Sequence, residues 1–127
     1  MGKLQEVGKL LEYKDGLESD FMKNIINKGK FIKTLPSYEY EAGLIKFNIP
    51  DEDDIYSNNG EGVWGWVTPQ DKEKYNDDSY TGQIVAILLN NPLNYLGRLN
   101  WGDEVVLDCH GEYRPTLSPE WVKAYLI

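Results

Sequence analysis

A chain of 127 residues with 41% hydrophobic and 27% charged side chains has the composition of a globular protein and enough length for a real core. Twenty-one acidic against thirteen basic residues give a net charge of −8, which disfavours general nucleic-acid binding and attachment to anionic membranes by repulsion from phosphates. A single cysteine excludes an intrachain disulfide and suits a reducing cytoplasm, and the first six residues hold no apolar signal core.

From the N-terminus, Leu4, Val7, Leu10 and Leu11 follow helical spacing, interrupted by Gly2 and Gly8. After an Asp15-Gly16 turn, Leu17, Phe21, Met22, Ile25 and Ile26 form one apolar face and predict a helix over roughly 17–28, packed on a sheet. Tyr38, Tyr40 and the run 44–49 are expected to be extended between Pro36 and Pro50, with Ile45, Phe47 and Ile49 on one face. An acidic loop, Asp51-Glu52-Asp53-Asp54 through Asn59, connects this run to the stretch that organises the chain, residues 60–67.

In that stretch Trp64 and Trp66 stand two apart, so in a strand they share a side, with Val63, Gly65 and Val67 on the other. Each indole removes roughly 150–250 Å² from water when buried, which places the pair at the core or its rim. Gly60, Gly62 and Gly65 fit the spacing of a dinucleotide-binding turn, but a polar run precedes them and a strand follows. The mechanism needs the reverse, a strand before the glycines and a helix after them.

Residues 71–78 form a charged connection with one helical turn after Pro69. Residues 80–89 are the most apolar of the chain and predict a central strand, ended by Asn90-Asn91-Pro92; the apolar run 84–89 is too short to span a bilayer. After an irregular connection over 93–99, Trp101-Gly102-Asp103 turns into a strand over 104–109, where Val105 and Leu107 alternate with Glu104, Val106 and Asp108. Ser118 and Pro119 predict the cap and first position of a short helix. The pattern is α+β: an N-terminal helix or helices packed on a mostly antiparallel, strongly twisted sheet of about four to six strands, in a single domain over 1–127.

Chemistry is sparse. The acids at 51–54 do not meet the ligand spacing of a calcium loop. Cys109 and His110, the one thiol and one imidazole, point to opposite sides of a strand and supply neither a nucleophilic pair nor a zinc site. The serines lack a nucleophile-elbow context. No catalytic residue, cofactor or metal is expected. Nine tyrosines on an acidic chain favour recognition of a basic partner instead.

Gly60-Glu61-x-x-Trp64, Tyr80-x-Gly82, Asn90-Asn91-Pro92 and Leu99-x-x-Gly102-Asp103-Glu104-Val105, spread from about Lys30 to Asp108, resemble the YegJ-like family of small bacterial domains. The resemblance implies a compact α+β domain in which the Gly-Asp-x-Val turn leads into a strand. It carries over no catalytic residue. Small acidic proteins of this kind found near toxin or phage-defence genes imply an immunity-type role. The chain departs from the pattern in Trp66, in the length of the 84–89 strand and in the tail 109–127.

The expected function is therefore non-catalytic binding of a basic protein or toxin. Its candidate surface is Trp64, Trp66, Trp101, Tyr38, Tyr40, Tyr56, Asp103 and Glu104. A small-molecule or peptide site in an aromatic pocket near Trp64, Trp66 and Trp101 is the alternative. An enzyme using Asp103 and Glu104 is the third.

Overall fold

The computed structural model describes residues 35–127; the predicted helix over 17–28 and the helical spacing before it lie outside the described residues. Within them the order is α1 (Ser37–Ala42), β1 (Leu44–Ile49), β2 (Glu61–Trp66), α2 (Pro69–Asn76), β3 (Gln83–Leu88), β4 (Glu104–His110), β5 (Tyr113–Leu117) and α3 (Pro119–Tyr125). The arrangement is α+β, with helices spread along the described residues rather than gathered ahead of the sheet.

The five strands close into a barrel in the order β1-β2-β3-β4-β5. Neighbours are antiparallel along the meander, and closure rests on one parallel pair, Asn48 with Thr116, between β1 and β5. Inward positions follow the strand period: Ile45, Phe47 and Ile49 from β1, Ile84, Ala86 and Leu88 from β3, and Val105, Leu107 and Cys109 from β4, all buried.

The tryptophan strand obeys the same period, but its inner side is the other one. Val63 and Gly65 face the core, followed by Val67 just past the strand, while Trp64 and Trp66 both stand on the outer wall. A barrel is narrower the fewer its strands, and five strands leave no room for two indoles beside Phe47. Gly65 supplies that room: a Cβ there would lie 2.8 Å from Phe47 Cε1 and 3.3 Å from Ala86 Cβ. The close neighbour of Gly65 is thus Phe47 of β1.

The two indoles meet different fates outside. Trp66 is 2% exposed, with its Nε1 donating to the Glu39 carbonyl of α1 at 3.1 Å. Trp64 is 46% exposed beneath Lys46, whose Nζ lies 4.6 Å from the ring centroid. Tyr38 and Tyr40, expected in an extended segment, belong to α1 instead. Pro36 begins this helix, its carbonyl accepting from the amides of Glu39 and Tyr40, and pattern alone does not distinguish so short an element from a strand.

The helix after Pro69 is longer than the single turn expected. Thr68 caps it, its Oγ1 accepting from the Asp71 amide at 3.4 Å, and it runs to Asn76. It serves the barrel end, where strand pairing stops. Asp71, 5% exposed, accepts the Val85 amide at 3.1 Å; Tyr75 Oη accepts the Lys46 amide at 3.3 Å; Lys72 Nζ donates to the Leu44 carbonyl at 2.6 Å. Backbone groups without strand partners are thus answered by side chains, as burial requires.

The strand expected over 104–109 runs to His110, and a further strand follows it over Tyr113–Leu117. Gly111, at φ 66°, turns β4 into β5. Pro115 hid this last strand; it sits there because a single pair links β5 to β1, so a missing N–H costs little. Ser118 then caps α3, accepting from the Trp121 amide at 3.3 Å, with Pro119 in the first turn. Among the described residues no helix is long and apolar enough to cross a membrane.

Candidate functional site

The predicted surface residues are not brought together. Tyr38, 72% exposed, lies on α1 at the rim of an apolar hollow of about 300 Å³, also lined by Ala42, Gly43, Trp66 and Pro69. Tyr40 is half-buried on the same helix. Tyr56 is exposed in the acidic loop, with Lys123 Nζ 4.8 Å from its ring, and hydrogen bonding to this phenol raises the lysine pKa. The hollow beside Trp66 is lined neither by Trp64 nor by Trp101, so the three tryptophans do not form the aromatic pocket that the sequence put among them.

Asp103 and Glu104 are adjacent and point apart. Asp103 Oδ2 accepts the Asn100 amide at 2.9 Å and closes a turn. Glu104 is fully buried on the outer wall, in register with Ile87, which in turn pairs with Trp66. They do not converge on a common point. Among the described residues no group of three His, Cys, Asp or Glu is placed to hold a metal ion.

Cys109 and His110 do diverge. The thiol is buried, and desolvation, with smaller contributions from Asp71 and Asp108, pushes its pKa up to about 11. His110 Nε2 sits 2.8 Å from Thr116 Oγ1 across the β4–β5 pair. A protonated buried thiol is a poor nucleophile.

What the fold does assemble is the connection between β3 and β4, residues 89–103, of which 93–99 was expected to be irregular. Three consecutive amides of it, 93–95, are held by carboxylates from outside the connection. Asn90 Oδ1 accepts from the Trp64 amide at 2.6 Å and Asn91 Oδ1 from the Trp101 amide at 2.8 Å, so two consecutive asparagines fix both tryptophans' main chains. Glu61 accepts from the Leu93 and Asn94 amides at 2.9 Å. Asn94 Nδ2 donates to the Ile49 carbonyl at 2.9 Å, and Glu52 Oε2 accepts the Tyr95 amide at 3.0 Å while its other oxygen pairs with Arg98.

Tyr95 is the anchor. It is 1% exposed, stacks under the Arg98 guanidinium at 5.2 Å, and has φ 62°, a left-handed conformation that a bulky residue rarely adopts. Burial, with help from Asp51, raises its pKa. On either side of this inward ring the chain turns two leucines out: Leu93 is 77% and Leu96 71% exposed. Trp101, 37% exposed, and Trp64, 46% exposed, are the two residues whose main chains the asparagine pair holds. Asp51, Asp54, Glu61 and Asn94 line a shallow acidic depression beside it.

Of the predicted residues, only Trp64, Trp101 and Asp103 belong to this face. The sequence carried its signal in two places: carboxylates at 52 and 61 flanking a polar loop, and leucines at 93 and 96 with no periodic partner. Compared with known proteins, the chain matches no family model, no curated protein and no solved structure.

Proposed function

We propose that the protein is a non-catalytic binding module, of immunity type, that docks a basic protein partner on the loop between β3 and β4. The observation that supports this is the pair Leu93 and Leu96, 77% and 71% exposed on a loop whose amides are fixed by Glu61 and Glu52. A loop ordered before binding avoids part of the entropy cost of association. Apolar anchors at the centre with charges around them is the usual anatomy of a recognition surface.

The partner's chemistry follows from the rim. Asp51, Asp54 and Glu61 border the leucines, and residues 35–127 carry sixteen acidic against six basic side chains. A basic surface with two shallow apolar pockets is the complement, and its approach is accelerated by the field of the chain. Residues 90–92 and 99–103, part of the YegJ-like resemblance, lie in this loop, and we extend the proposal to that kinship.

The test recovers partners from the source cell at low salt with wild type and with the L93E/L96E double variant. The recovered protein is then identified, purified and titrated calorimetrically. The proposal expects a basic partner whose affinity falls at least tenfold in the variant and weakens with salt. Equal affinity for both forms, or an acidic partner indifferent to salt, refutes it.

A further inference from the structure

The barrel closes through one pair only, Asn48 with Thr116, and beside that pair the wall gapes. The gap is a groove of about 550 Å³ between β1, the C-terminal half of α2 and the β4–β5 hairpin, with buried Cys109 among its lining residues. Its size is that of a small-ligand site. Three of the six basic residues in 35–127, Lys46, Lys74 and Arg114, line it.

Two of these cations stand together. Arg114 Nη1 and Lys46 Cε lie 3.1 and 3.5 Å from the point where a Cβ on Gly62 would be, so both flank one bare glycine. Among the described residues neither has a carboxylate within salt-bridge distance. Lys46 Nζ rests over the Trp64 ring, and Arg114 spends one N–H on Asn48 Oδ1 at 3.1 Å, leaving other guanidinium donors. Lys74 is different, held 3.5 Å from Asp71. Tyr75 Oη accepts the Lys46 amide, so its own proton is left to donate.

The groove's acids are Asp78 and Glu112, and a Cβ on Gly111 of the hairpin would meet the Asp78 carbonyl at 2.8 Å. Its donors include the Lys46 ammonium, the Arg114 guanidinium and the Tyr75 phenol, and Tyr113, 73% exposed, is in the same lining. On a chain of net charge −8, juxtaposed cations with no carboxylate partner call for an external anion.

From this geometry we infer that the seam groove binds a small organic oxyanion, a phosphate ester or carboxylate carried on an aromatic body, with Lys46, Arg114 and Tyr75 holding the anionic group and Tyr113 facing the ring. Planar bidentate donation from Arg114 suits either oxyanion. The groove takes no lining residue from the β3–β4 loop, and the inference does not rest on the docking proposal.

The experiment is a two-dimensional ¹H–¹⁵N titration of the full chain with phenyl phosphate, benzoate and inorganic phosphate, each against sodium chloride at equal ionic strength. Saturable shifts are expected at Gly62, Lys46, Tyr75 and Arg114. At least one ring-bearing anion should bind tenfold or more tighter than inorganic phosphate, and the two aromatic arms tell phosphate from carboxylate. K46Q and R114Q, checked by near-UV dichroism for an intact fold, should each weaken binding at least fivefold, and E120Q, remote from the groove, should not. Linear shifts matched by chloride, shifts spread equally to Lys72, Arg98 and Lys123, or unchanged affinity in both variants overturn the inference.

Discussion

Replacing Gly65 by alanine tests which side of the tryptophan strand is inside. The added Cβ would stand 2.8 Å from Phe47 Cε1, 3.3 Å from Ala86 Cβ and 3.4 Å from the Ile87 carbonyl oxygen. Phe47 is fully buried and Ala86 is 1% exposed, so neither neighbour can withdraw into solvent. Overpacking a well-filled core costs about 1–3 kcal/mol, and alanine recovers about 0.5–1 kcal/mol of the backbone entropy that glycine loses in a strand. The difference spans about 0–2.5 kcal/mol, and a contact as short as 2.8 Å with a fully buried ring puts the loss in the upper part of it, about 1–2 kcal/mol. For a domain of this size that lowers Tm by roughly 4–8 °C. Urea and thermal unfolding, followed by far-UV dichroism, read the change. The mechanism also predicts a coupling: F47L, which shortens the obstructing ring, should cost less in the G65A background than alone, by at least about 0.5 kcal/mol in a double-mutant cycle. If G65A is neutral or stabilising, or if the two costs simply add, Gly65 does not face Phe47 and the inward assignment of Val63, Gly65 and Val67 falls with it.

Other perturbations address the loop, the thiol and the last helix. Glu61→Gln removes charge-assisted acceptance from the Leu93 and Asn94 amides, and their hydrogen exchange should speed by roughly fivefold, about 1 kcal/mol, while core amides of β4 keep their rates; unchanged exchange at both positions would show that the carboxylate does not order the loop. Cys109 has its folded pKa raised to about 11 against an ordinary thiol value of 9.0, so the folded state holds the proton longer than the unfolded chain does. Its contribution is fully present below pH 9 and is lost as pH rises toward 11. Unfolding titrations of Cys109→Ser should therefore show a shallower decline across that window than wild type, and native wild type should react slowly with a thiol reagent at pH 7; fast reaction without unfolding contradicts the burial. Ser118→Ala deletes the acceptor for the Trp121 amide and should cost about 1 kcal/mol by chemical denaturation, with Ser118→Asp retaining most of it.

Local rules carried a large part of the fold. The alternation at Ile45, Phe47 and Ile49, the apolar run at 84–88 and the Val105–Leu107 alternation were legible because period two is a property of a strand alone. Ser118-Pro119 was legible for the same reason, since capping chemistry is local. Barrel closure was not, because it depends on register between distant strands. Without closure the size of the indoles placed both tryptophans at the core or its rim; the narrow lumen keeps both outside, where Trp66 is buried and Trp64 is 46% exposed. The strand at 113–117 was masked by Pro115, and the helix at Ser37–Ala42 by tyrosines that favour strands when read singly. The loop face was the hardest to read, since its carboxylate-to-amide bonds join residues 32 to 43 positions apart. Lys46 and Arg114, 68 positions apart, meet only because β1 and β5 are neighbours at the seam.

The conformation of Tyr95 links the stability of the loop to its use. A bulky residue held at positive φ costs of order 1–3 kcal/mol and persists only where its surroundings over-determine it. Here they do: the ring is sealed, the amide is taken by Glu52, and the Tyr95 carbonyl accepts from the amides of Arg98 and Leu99 at 2.9 and 3.0 Å. A chain needing only a connection between β3 and β4 would place glycine at that φ, as it does two residues later at Gly97, whose φ is 81° and whose Cβ position is empty. Tyrosine there secures something glycine cannot, a deep anchor that fixes the residues on either side. Those residues are Leu93 and Leu96, turned into water at a cost the fold does not recover within itself. Strain held by a buried anchor and apolar groups left outside are the two halves of one arrangement, and under the docking proposal such an arrangement lowers the ordering cost of association in advance.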